Sequence, residues 1–151
     1  MTTEEKELLL KDLCARLPYG VVLKVDYIIN NETTYGEDVP ATCDDKLLRI
    51  NLDEFSVYTE WLMEYSGIGY IKPYLRPMSS MTEEEFAEYE KANDLDTLDS
   101  SETLRENMKA KHRVRISKWY HGTDWLNAHH FDYHGLIEKG IALEAPEGMY
   151  K

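Results

Sequence analysis

At Pro18-Tyr19-Gly20 the apolar spacing of this chain switches from helical to alternating, and that switch limits what it can fold into. Before it, Leu9, Leu10, Leu13, Cys14 and Leu17 recur at the spacing of one helix face. Ahead of them, Thr2-x-x-Glu5 forms a capping box, in which hydroxyl and carboxylate each take a backbone N–H that a first helical turn leaves without a partner. The spacing predicts an amphipathic helix over 3–16, with Cys14 a buried structural thiol on its apolar stripe. After the switch, Val21, Leu23, Val25, Tyr27 and Ile29 alternate with Lys24, Asp26 and Asn30, the period of a half-buried strand.

Alternation returns at Leu48, Ile50 and Leu52, which predicts a second strand after a turn at Asn30-Asn31-Glu32. Residues 55–65 fit both periods, and their aromatic and β-branched content favours a strand. A last strand runs from Tyr70 to Leu75, where Pro73, lacking an N–H, restricts it to an edge or an end. The links between these strands are too short for helical crossovers, so neighbours run antiparallel.

Ser79-Ser80-Met81-Thr82-Glu83-Glu84-Glu85-Phe86 then starts a helix. Thr82 and Glu85 make a second capping box, and Met81 can pack on Phe86 as a staple. This helix runs from Glu83 to about Lys91. Residues 93–103 carry acids and hydroxyls and little that packs, which reads as a mobile connector. Beyond it, 104–112 suits a helix, 113–117 a short strand and Thr123 to His130 a short capped helix. Asp132 can cap one more turn through Leu136 and Ile137, ended by Gly140. The predicted fold class is α+β. An N-terminal helix lies on a small antiparallel sheet of four or five strands within 20–77, curled like a small open barrel. The capped helix completes this part (1–92), and 93–103 leads to a small, mainly helical C-terminal unit (104–151).

With 29 acidic against 17 basic residues the formal net charge is -12. Residues 26–64 and 82–106 each hold ten acids and two bases, whereas 105–118 reverses the sign. A basic segment can neutralise phosphates, but the surrounding acidic field opposes that, so packing against the acidic stretch is preferred and nucleic acid is disfavoured as a partner. No apolar run approaches the roughly 20 residues of a membrane span. The polar, acidic N-terminus is unlike an export signal, and two cysteines make no disulfide framework, so a reduced cytosolic setting is expected.

Three blocks of the sequence resemble a family of small proteins encoded by phages, prophages and mobile elements of gut Bacteroides-type bacteria. They are Leu8 to Gly20 (LLLKDLCARLPYG), Ile71 to Glu85 (IKPYLRPMSSMTEEE) and Asp124 to Gly140 (DWLNAHHFDYHGLIEKG). The resemblance covers about a third of the chain. It implies a genomic setting and a place in the bacterial cytoplasm, and it implies no reaction. Members of that family often carry Arg where this chain has His134, which weighs against a role requiring His134.

Two clusters carry candidate chemistry. His121, His129, His130 and His134 crowd together with Asp124 and Asp132, and His121, His129, His130 and Asp132 are a conceivable metal-ligand set. There is no HExxH and no zinc-spaced cysteine pair, so the preferred reading has His129 and His130 bonding the carbonyls of a helix end. Arg113, Arg115, Trp119 and His121 can together stack and charge-pair a nucleotide. The aromatics Trp119, Tyr120, Trp125, Phe131 and Tyr133 equally suit a small core. No Walker loop, GxSxG or GxGxxG is present, and no catalytic residue or cofactor is nominated. The leading expectation is a non-enzymatic accessory protein binding a host or phage macromolecule, most readily a protein with a basic surface. Self-association is a further expectation. A sequestering small-molecule or nucleotide binder is the alternative.

Overall fold

The computed structural model describes residues 1–29, 38–92 and 120–150, with the side chains of Tyr120 and His121 excepted. The turn at 30–32, the connector 93–103, the elements expected over 104–117 and the basic segment 105–118 lie outside these residues. Two compact units, Met1–Tyr74 and Leu75–Lys151, make up the chain. The sequence reading puts its junction at the connector, whereas this division falls between Tyr74 and Leu75.

The first unit opens with α1 (Thr3–Arg16), closed at its start by the reciprocal Thr2–Glu5 capping box. Its buried face comprises Leu9, Leu10, Asp12, Leu13 and Arg16. Cys14 is exposed, a correction to its expected burial. Each residue turns the helix by about 100°, and the face centred on Leu9, Leu13 and Arg16 leaves Cys14 just beyond its rim. Asp12 and Arg16 take the remaining inward positions. The Arg16 Nε and Nη2 groups donate to both Asp12 oxygens at 2.6 and 2.9 Å, and both side chains are 0% exposed. A 3₁₀ turn, Leu17–Tyr19, and Gly20 in the left-handed region (φ 68°) reverse the chain into the sheet. The left-handed backbone favours glycine there; a Cβ would also meet Lys46 Cε at 2.5 Å, which the flexible lysine end can relieve by moving.

Five strands follow: β1 (Val22–Ile29), β2 (Val39–Asn51), β3 (Ser56–Thr59), β4 (Tyr65–Gly67) and β5 (Ile71–Leu75). With β6 (Leu143–Glu144) the strand order is β4-β3-β2-β1-β5-β6. The β1–β2, β1–β5, β2–β3 and β3–β4 pairs are antiparallel, as the short links require. The sheet is open, correcting the expected barrel-like curl: three-residue β4 and two-residue β6 stand at opposite ends of the order. Buried Val21, Leu23, Val25, Leu47, Val57, Ile68 and Ile71, with the α1 leucines, form this unit's core. Pro73 faces Leu23 in β5, which lies between β1 and β6 in the order and is not an edge strand.

The second strand differs in phase from the sequence reading. A register shift between Leu47 and Arg49 breaks the alternation, so Leu47 is buried while Leu48 and Leu52 are exposed. Residues 55–65 form one strand, a tight turn and the start of another.

The second unit holds α2 (Glu83–Ala92) and α3 (Tyr120–Ala128), packed on each other. The Thr82–Glu85 capping box is formed, and Met81 packs on the cluster containing Phe86. Helix α3 begins at Tyr120, so Thr123 lies inside it and does not cap it. Phe86, Tyr89, Leu126 and Phe131 are buried together, with Met78, Met81, Trp125 and Tyr133 against them. After His129 the chain runs through turns to β6, so the C-terminal part is only partly helical.

Candidate functional site

Asp45 lies on the inward phase of β2, two residues before buried Leu47, and is itself buried. A carboxylate there must find donors within the fold. It finds them in the turn after β3: its oxygens accept the Trp61 N–H at 2.9 and 3.0 Å, the Leu62 N–H at 2.9 Å and the neighbouring Lys46 N–H at 2.8 Å. Burial pushes the Asp45 carboxyl up, but the Leu62 amide, the Thr59 hydroxyl and the amides of Trp61 and Lys46 together outweigh it and hold the group below its ordinary value. Two backbone bonds, Glu60 N–H to the Lys46 carbonyl and Met63 N–H to the Thr59 carbonyl, complete the turn.

What this turn displays is apolar. Trp61 is 65% exposed, Met63 70% and Tyr65, the first residue of β4, 51%. Met63 has φ 51°, a left-handed conformation that costs a side-chain-bearing residue roughly 1–2 kcal/mol. The Asp45 bonds fix the backbone that holds it there. Tyr65 lies opposite Tyr58 across β3–β4, with ring centroids 5.3 Å apart in an edge-to-face arrangement. The Arg49 guanidinium sits 5.5 Å from the Tyr58 ring centroid. The result is a Tyr58–Tyr65 ring pair in the strands and an exposed tryptophan on the turn that joins them, its backbone held by the Asp45 carboxylate. Exposed Glu60 and Glu64 flank it.

The site residues expected from sequence fall elsewhere. Arg113, Arg115 and Trp119 lie outside the described residues, as does the side chain of His121. His129, His130 and Asp132 are all committed to the second unit's architecture. The His129 Nδ1 group lies 2.8 Å from the Trp125 carbonyl, which can only accept, so this nitrogen carries the proton; the ring stacks on Trp125. His130, at φ 59°, is the left-handed residue of a Schellman closure: its N–H reaches the Asn127 carbonyl and the Phe131 N–H reaches that of Leu126. Its ring stacks on Tyr150. The Asp132 oxygens accept the Leu136 and Ile137 N–H groups, each at 2.8 Å, but the segment is a run of turns with no helix, so Asp132 ties a turn and caps no helical turn, a correction to the capping expectation. Among the described residues no three His, Cys, Asp or Glu side chains come together as a metal site.

The same segment is bound to the strand end before α2. Arg76 and Phe131 form a parallel bridge, with Arg76 N–H to the His130 carbonyl and Asp132 N–H to the Arg76 carbonyl. The Arg76 side chain pairs with both Glu85 oxygens at 2.6 and 2.9 Å and lies 4.2 Å from the Phe131 ring centroid. Arg76 and Glu85 thus interlock with the Phe131–Asp132 segment within the second unit.

Electrostatics moves the perturbed groups away from neutrality. Partial desolvation of its sulfur raises the Cys14 thiol although the residue is exposed, and desolvation with the Asp45 and Asp44 charges raises that of Cys43. Burial and a 2.8 Å bond to Asp44 push Tyr74 up to about 12. Glu85 is lowered, first by its Arg76 bond. None of these groups is tuned towards proton transfer or thiolate attack near pH 7. The Trp61 turn escapes a sequence reading because Asp44-Asp45 looks like turn punctuation. The available signal was an acid in phase with Cys43 and Leu47 on a strand's inner face. Comparison with family models, with curated proteins and with solved structures finds no match for this chain.

Proposed function

We propose that this chain is a non-catalytic binding module whose contact surface is the Asp45-held turn bearing Trp61, Met63 and Tyr65. The observation that carries the reading is a 65% exposed tryptophan on a backbone fixed by a buried carboxylate. Covering the rest of that side chain, roughly 100–160 Å² of the 150–250 Å² an aromatic residue can bury, is worth about 2.5–4 kcal/mol. Because the turn is ordered before binding, little of this is lost to ordering it. Tryptophan and tyrosine are the usual anchors of protein interfaces. The acids beside them favour a partner with an apolar pocket rimmed by Lys or Arg. The directions of the pKa shifts support a role without proton-transfer chemistry. The family resemblance supports a host or phage protein in the bacterial cytoplasm as that partner.

Affinity purification from bacterial lysate with the intact chain and with Trp61→Ala tests this reading. Trp61 is exposed, so the substitution should change stability by less than about 0.5 kcal/mol. Partner recovery should fall at least about tenfold. Recovery indifferent to Trp61→Ala, or substrate turnover in an activity screen, overturns the proposal.

A further inference from the structure

The Trp61 turn leads directly into β4, which ends the strand order and, among the described residues, pairs only with β3. The phase of the ladder fixes which backbone groups face outward. Ile68 N–H donates to the Phe55 carbonyl at 2.8 Å, and the register pairs Ser56 with Gly67, Val57 with Ser66 and Tyr58 with Tyr65. Hydrogen-bonded and non-bonded pairs alternate in an antiparallel ladder, so Ser66 points its N–H and C=O at β3. Tyr65 and Gly67 point theirs away from β3. The short distance of a non-bonded pair also suits the Tyr58–Tyr65 ring contact. Two outward donor–acceptor pairs therefore stand beside an exposed Tyr65 and follow an exposed Trp61.

Charge selects what can occupy this edge. Residues 50–71 contain Asp53, Glu54, Glu60 and Glu64 and no Lys, Arg or His, so these four acids outnumber the one cation described beside them, Arg49 over the Tyr58 ring. The four acids are exposed and stand in the turns at the two ends of β3. A second copy would bring the same acids against them, which disfavours edge-to-edge pairing of this chain. An extended segment bearing Lys or Arg faces attraction at both ends.

We infer that β4 accepts an extended, Lys- or Arg-bearing segment of a partner protein as an added strand, with an apolar side chain of that segment seated against Trp61 and Tyr65. This rests on the reading of the Trp61 turn as a protein-binding surface. Strand addition draws affinity from main-chain bonds and specificity from alternate side chains. With only two residues offering outward groups, the aromatic anchors and the charge must supply much of the binding.

The test uses the full chain and a short synthetic peptide alternating Lys and Val, followed by fluorescence anisotropy. Two peptide controls accompany it: one N-methylated on alternate backbone nitrogens, one with Glu replacing Lys. Gly67→Pro is the matching protein variant. Gly67 has φ -63°, the value proline imposes, and a Cβ there would meet Tyr70 at an ordinary 3.5 Å. The substitution therefore removes one outward N–H without opposing the backbone. We expect N-methylation, the Glu exchange and Gly67→Pro each to weaken binding about tenfold or more. Binding of the N-methylated peptide within about twofold of the parent overturns strand addition, even if Gly67→Pro fails to fold. So does a concentration-dependent dimer of the full chain that Gly67→Pro dissolves, which would make a second copy the occupant. Failure of the Trp61 reading is separable, because it appears as indifference to Trp61→Ala with peptide and lysate alike.

Discussion

Removing the carboxylate of Asp45 is the most direct way to test whether the exposed tryptophan is held in place or merely left outside. In Asp45→Ala the Trp61 and Leu62 N–H groups lose bonds of 2.9–3.0 Å and 2.9 Å. Hydrogen bonds to charged groups contribute about 1.5–3 kcal/mol each, so two would contribute about 3–6 kcal/mol if fully sequestered. Both bonds are partly buried, and water can replace some of the lost interaction. A destabilisation of about 2–3 kcal/mol is expected. With a urea slope of about 1–3 kcal/mol per molar, the midpoint should fall by about 0.7–3 M.

Urea melts measure the magnitude, and amide hydrogen exchange locates it. Protection should drop at Trp61 and Leu62 before it drops in the β1–β2 ladder. The pH dependence follows from the lowered carboxyl: the unfolded chain takes up the proton at a higher pH than the native one does. The stabilisation is therefore complete above the unfolded value near 3.9 and is lost as pH falls through the native one. The difference between native sequence and Asp45→Ala should be flat from about pH 5 upward and shrink below about pH 4. A loss under about 0.5 kcal/mol at pH 7, or unchanged exchange at Trp61 and Leu62, would refute the claim that Asp45 builds the turn.

Three further outcomes follow from the same geometry. Asp12→Ala takes the carboxylate from a fully buried Arg16 guanidinium and should cost about 3–5 kcal/mol, whereas the double exchange Asp12→Leu with Arg16→Met should cost less than that single change; chemical melts of both decide it. Met63→Gly relieves a left-handed φ and should leave stability unchanged or raise it by up to about 1 kcal/mol, while weakening any complex the turn forms; a clear loss of stability would contradict the exposed placement of Met63. Asp132→Ala removes the acceptor for Leu136 and Ile137 and should cost about 2 kcal/mol, because it leaves two turn amides without a buried carboxylate acceptor; an effect below about 0.5 kcal/mol in thermal unfolding would show that the turn holds without it.

The elements legible in the sequence are those whose partners lie within a few residues. The Thr2–Glu5 and Thr82–Glu85 boxes, the α1 span and the start of α2 each rest on partners three or four positions apart, and Asp132 does meet Leu136 and Ile137, though in a turn and not at a helix start. Asp45 closes over sixteen and seventeen, and only the strand pairing brings its donors to it. The phase of β2 was hidden for a related reason. A bulge at Leu47–Arg49 belongs to the pairing of two strands, so Leu48-Ile50-Leu52 looks like an inner face when Leu47 is the buried residue. On α1 the apolar count misled because a paired Asp12 and Arg16 occupy core positions that hydrophobicity assigns to Cys14.

The acid excess has two meanings in this fold, and separating them bears on the binding reading. Glu5 and Glu85 take N–H groups at helix starts, Asp45 and Asp132 each take a consecutive pair of amides in a turn, and Asp12 neutralises Arg16. These carboxylates act as internal acceptors for backbone donors or a buried cation, and they say little about what the surface attracts. The net charge of -12 is therefore a poor guide to a partner. Local placement is a better one: between Arg49 and Lys72 the chain carries Asp53, Glu54, Glu60 and Glu64, all exposed, and no cation. Neutralising Glu60 and Glu64 as glutamines should leave stability within about 0.5 kcal/mol, since neither is buried. It should also slow association with a basic partner and flatten the salt dependence of that rate. Deleting Trp61 should act chiefly on dissociation. If both changes alter the same rate constant, steering and anchoring are not separate tasks here, and the charged rim would have to touch the partner directly.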